Sequence, residues 1–62
     1  MTQLYRAIDT EGRSVLFVLW ETSMGVSVSK LNYNTRVFEA HGLYEGLDLK
    51  QTKKILAKEV DK

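Results

Sequence analysis

Lys50, Lys53, Lys54, Lys58 and Lys62 crowd residues 50–62 of this 62-residue chain. Lys50, Lys54 and Lys58 recur every four residues, a spacing that puts them on one face of a helix. Like charges so spaced cost about 0.2–0.5 kcal/mol per pair, and Lys50 opposes the positive end of the helix dipole. A helix built this way is not tuned for its own stability. Such a face could suit phosphate groups or an acidic partner, but its plainer role is a solvated surface that keeps the protein soluble. Arg6, Arg13 and Lys30 supply further cations, and Tyr5 and Trp20 could stand on adjacent strands beside them. Together these would make a stacking platform for single-stranded nucleic acid; the plainer role for the aromatics is packing. Tyr33 falls in a turn and is the better candidate for an exposed contact. His41 precedes Gly42 in an expected loop, with Glu39 and Glu45 near it in sequence. Acid–base work there would need convergent partners, and no positioned nucleophile accompanies it.

The remaining chemistry is sparse. The carboxylates show no paired spacing for hydrolysis, and no glycine-rich phosphate loop occurs. There is no cysteine, which excludes disulfides and thiolate metal sites, and one histidine cannot build a zinc site unaided. No catalytic residue, cofactor or metal is expected, and the chain does not read as an enzyme.

The elements that would position these residues follow from patterning. Gln3 to Ile8 reads as a strand, and Asp9-Thr10-Glu11-Gly12 as a type I turn closed by a left-handed glycine. Arg13 to Thr22 follows as the longest and most apolar strand, placed centrally. Its run Val15-Leu16-Phe17-Val18-Leu19-Trp20 is apolar at every position. As a strand it sets Val15, Phe17 and Leu19 on one face and Leu16, Val18 and Trp20 on the other. After a turn at Ser23-Met24-Gly25, Val26-Ser27-Val28-Ser29 alternates with both valines inward. Asn32-Tyr33-Asn34-Thr35 forms the next turn, since asparagine tolerates left-handed angles. Residues 36–40 suit a short fourth strand or a single helical turn, with strand favoured. Gly42 and Gly46 bracket a loop. Asp48 then caps a helix that runs to about Val60, with Gln51 completing a capping box. Leu49, Thr52, Ile55, Leu56 and Val60 share its apolar face.

The hairpin Leu4-Tyr5-Arg6-Ala7-Ile8-Asp9-Thr10-Glu11-Gly12 resembles one near the catalytic core of bacterial insertion-sequence transposases with a ribonuclease-H-like fold. The remaining residues do not follow that pattern. The match reads as convergent hairpin chemistry, and no catalytic residue is carried across.

The expected fold is α+β: one domain over residues 1–62, an antiparallel meander of three or four strands with a C-terminal helix packed on one face. Val26, Val28, Ile55, Leu56 and half of the second strand would form the core. Domains this small sit near the lower limit of independent folding and often compensate by oligomerising. One helix can cover only one face of the second strand, so Leu16, Val18, Trp20 and Tyr33 are the expected partner interface, most simply in a homodimer. The charge is −1 over residues 1–47 and +2 over 48–62, a net +1. That is far from the strong basicity of dedicated nucleic-acid binders. No membrane span or secretory leader is visible, which points to the cytoplasm. The leading expectation is a small non-catalytic protein-binding or regulatory module of bacterial or phage type. The alternative is a nucleic-acid binder using a three-stranded sheet and a basic C-terminal helix, with Arg6, Arg13, Lys30, Lys50, Lys54 and Lys58 as the candidate contacts to nucleic acid or to an acidic partner.

Overall fold

The computed structural model describes residues 2–60; Lys62, the last of the expected helix lysines, lies outside them. Four strands, β1 (Thr2–Ile8), β2 (Ser14–Thr22), β3 (Gly25–Asn32) and β4 (Val37–Glu45), precede one helix, α1 (Leu49–Val60). The strands pair antiparallel in the order β1-β2-β3-β4, so the fold is an α+β meander with β2 in the interior of the sheet. The molecule measures 34 × 23 × 16 Å. Its smallest dimension leaves room for one helix on one sheet, because packed layers sit about 10 Å apart.

Local chemistry accounts for each corner. At the β1–β2 turn the Gly12 N–H donates to the Asp9 carbonyl at 3.0 Å, and Gly12 takes φ +80°, as the sequence predicts. The Asp9 carboxylate accepts the N–H of Glu11 at 3.0 Å and of Arg13 at 2.8 Å. At the β2–β3 turn, Thr22 Oγ1 accepts the N–H groups of Met24 and Gly25, both at 3.2 Å. A side chain at Gly25 would collide with the backbone carbonyl of Tyr44, so β3 and β4 can approach there only across a glycine. At the β3–β4 turn, Asn32 Oδ1 accepts from Asn34 and Thr35 at 2.9 and 3.3 Å. The left-handed position in that turn belongs to Arg36 (φ 60°) and not to an asparagine. Asn32 instead holds the turn by its side chain, an alternative use of the same residue type.

The helix begins as its sequence signature predicts. Asp48 Oδ1 accepts the Gln51 N–H at 2.7 Å, and Gln51 Oε1 accepts the Asp48 N–H at 3.1 Å. This reciprocal pair satisfies amides that the first turn leaves free. The helix crosses back from β4 and packs mainly on β1 and β2. Its buried residues are Thr52 and Leu56, over a core of Ala7, Phe17, Leu19, Val26 and Val28. Ile55, expected in that core, is only partly buried; the buried line runs through Thr52 and Leu56, with Leu49 and Val60 packed at its ends.

The largest departure from expectation lies in β4. Residues 42–45, read as loop from the two glycines, continue the strand, and His41 sits within it. Val28 pairs Gly42 while the next residue, Ser29, pairs Ala40. His41 is therefore an extra residue, a β-bulge that puts two neighbours on the same side of the sheet. The bulge changes which side chains of β4 face outward. Beyond it, Leu43 lies beside Ser27, as alternation from Tyr44 requires. Before it, Ala40 and Phe38 lie beside Ser29 and Leu31 on that same outward side.

Candidate functional site

The side of the sheet that the helix does not cover is largely apolar. Register places Leu4 beside Val18, Trp20 beside Thr2 and Ser27, and Leu31 beside Phe38. Leu16 and Leu43 complete the surface, and Ile8 stands at its margin. Leu4 and Ile8 are about two-thirds exposed, at 66% and 65%, while Phe38 and Leu43 are exposed by 41% and 44%. Leu16, Val18 and Trp20 are partly buried by their neighbours within the sheet. Thr2, Ser14, Thr22, Gly25, Ser27, Ser29 and Ala40 fill the remaining positions. Arg6, next to Leu16, and Glu45, next to Gly25, are the charged residues among the outward strand positions.

Three of the four expected interface residues, Leu16, Val18 and Trp20, therefore lie together on this side. Tyr33 is 55% exposed in the β3–β4 turn. The expected cationic contacts are not brought together. Arg6 lies on the uncovered side. Lys30 pairs with Phe17 in register and so belongs to the helix side. Arg13 is tied into the first turn by Asp9 at 3.2 Å and Glu11 at 2.6 Å. Lys50, Lys54 and Lys58 are exposed on the helix. Tyr5 and Trp20 stand on adjacent strands but on opposite sides, because Tyr5 pairs with the inward Phe17. Tyr5 stacks on Phe17 with ring centroids 6.3 Å apart, and the Lys53 ammonium lies 5.8 Å from the Tyr5 ring. Tyr5, Trp20 and the three cations therefore do not share one surface, and Tyr5 packs against the core, the plainer of its two roles.

A second region gathers polar groups where the last helical turn meets β4. His41 is edge-on to Phe17 at 5.5 Å and stacked on Tyr44 at 6.4 Å. Its Nε2 lies 3.2 Å from Glu59 Oε2, and the Tyr44 hydroxyl donates to that same oxygen at 3.2 Å. Burial, followed by the Glu59 charge, pushes the Tyr44 phenol above its ordinary range. A cleft of about 260 Å³ opens beside these groups, bordered by Asp9, Phe17, Lys30, His41 and Glu59. That is below the roughly 300–1,000 Å³ of typical small-molecule sites. Both partners of Glu59 are engaged in fastening the helix to the sheet edge. A groove of about 400 Å³ adjoins it along the β3–β4 hairpin, lined by Lys30, Asn32, Tyr33 and Glu39 among others; the Asn32 amide donates to Glu39 at 2.8 Å. His41 carried no sequence signal for this arrangement, since its partners lie 3 and 18 residues away with no recognisable spacing. Among the described residues no cluster of three or more metal-ligating side chains occurs, and no helix is long and apolar enough to cross a membrane.

Comparison of the chain with protein-family models, curated proteins and solved structures gives no match.

Proposed function

We propose that this chain is a non-catalytic protein-binding module that self-associates as a homodimer through the uncovered side of its sheet. The observation that carries this reading is that Leu4, Leu16, Val18, Trp20, Leu31, Phe38 and Leu43 share one side of the sheet with two charges, Ser27 and Ser29 lying between the β2 and β4 groups. Apolar surfaces of that kind mark contacts more often than they mark solvent, and a two-fold pairing lets one surface cover itself. Strands about 4.8 Å apart and residues about 3.4 Å along each make the surface roughly 400 Å² in projection. Two copies then bury roughly 800 Å² before side-chain relief is added, below the roughly 1,200 Å² of stable specific interfaces and in the range of weak, transient ones. A surface of that size fits a weak, reversible dimer. Sedimentation equilibrium across the micromolar range tests it, with Trp20→Ser as the control. The expected result is a dimer whose dissociation constant rises more than about tenfold in the variant, as for a central aromatic anchor. A monomer mass at every concentration would refute the reading.

A further inference from the structure

We infer that the two copies pack face to face with their strands crossing at roughly 70°, nearer the orthogonal than the aligned class of sheet packing, each Arg6 lying against Glu45 of the second copy. This rests on the self-association proposed above and specifies its geometry. Arg6 occupies β1 beside Leu16, and Glu45 occupies β4 beside Gly25. Three strand spacings separate them across the sheet and three two-residue steps along it, roughly 14 Å by 20 Å. They are diagonal corners of the same surface. Both are exposed, and among the described residues neither makes an ion pair within its own chain.

A two-fold axis between facing sheets lies in the interface plane, and its direction decides what meets what. An axis along the strands sets Arg6 over β4 of the second copy near Phe38, leaving a cation against an aromatic edge and Glu45 without a counterion. An axis straight across the strands returns Arg6 to β1 near Thr2, again with no anion. An axis at right angles to the Arg6–Glu45 diagonal brings Arg6 opposite Glu45 at both ends of the interface at once. Opposite charges set against each other at both ends attract, modestly for each exposed pair, so the third arrangement is favoured over the other two. The same operation sets Trp20 close to the axis against its own counterpart and Leu16 against Leu43. The large side chains then meet at the centre and the charges at the rim, the usual anatomy of an interface.

Charge reversal tests the crossing. Arg6→Glu and Glu45→Arg each set like charges against one another twice per dimer. At low ionic strength, where rim charges are least screened, each is expected to raise the dimer dissociation constant at least about fivefold. The combined variant restores opposite charges and is expected to return to within about twofold of the parent. Single reversals that leave association unchanged, or a combined variant no better than the singles, would overturn the crossing while self-association stood. A parent chain that never dimerises would overturn both. Circular dichroism on each variant checks that these exposed substitutions leave the fold in place.

Discussion

The two sides of this sheet are built from the same kinds of residue and end in opposite conditions. On the helix side, Phe17, Leu19, Val26 and Val28 are at most 2% exposed. On the other side, Leu4, Phe38 and Leu43 are between 41% and 66% exposed, although the strands carrying them are just as apolar. Adjacent residues of β2 fall into the two classes in turn: Leu19 is fully buried, while Val18 and Trp20 flank it on the uncovered side. A strand apolar on both faces carries twice the surface one small helix can cover. Apolar composition alone therefore does not identify a core residue; the neighbouring layer does.

The sharpest way to break that comparison is a pair of substitutions on β2. Leu19→Ala removes a fully buried side chain and is expected to cost about 2–5 kcal/mol, enough to unfold much of a domain this small. Leu16→Ala, three residues earlier and on the uncovered side, is expected to cost less than about 1 kcal/mol in the monomer and to act instead on association. Urea denaturation below the dimerisation range, beside sedimentation at high concentration, separates the two. Equal losses of stability would mean that both sides are core.

A smaller effect sharpens the picture of the helix side. Gln3 Oε1 is buried without a hydrogen-bond partner among the described residues. Leaving such a group unsatisfied costs about 1–3 kcal/mol, so Gln3→Met is expected to raise stability by about 1 kcal/mol, measured as a shift in the urea midpoint. A destabilised variant would show that the amide finds a partner in solution.

The smallest expected effect concerns Asp9, at the end of the helix side where the first turn closes. The Arg13 N–H is the main cause holding its carboxyl below the ordinary value, burial opposes it, and the Glu11 N–H and the Arg13 guanidinium add to the lowering. A carboxyl lowered by folding adds stability that is fully present above its unfolded value and is lost as pH falls through the folded one. Acid titration of the melting temperature below pH 4 should therefore be shallower in Asp9→Asn than in the parent. Parallel curves would show that the turn is held by backbone geometry alone.

Much of the fold was legible because its signals are local. The Asp9–Gly12 turn, the alternation of Val26–Ser29 and the Asp48/Gln51 box each involve residues within a few positions of one another, and each forms as its residue types require. The expectation of a two-faced β2 was legible for the same reason, since a strand's period is set by its own backbone. Three features were decided only by packing at a distance. The bulge at His41 depends on how β4 meets β3, and it is what turns Phe38 and Ala40 outward. The fastening of His41 and Tyr44 by Glu59 needs the helix to return across the sheet. Arg6 and Lys30 were separated onto opposite sides by register, which no property of either residue specifies. By itself the sequence determined that β2 would offer two apolar faces. Only the tertiary structure established that the helix takes the Phe17 and Leu19 face and leaves Leu16, Val18 and Trp20 uncovered, because the strand's own period does not fix where the helix lands after β4.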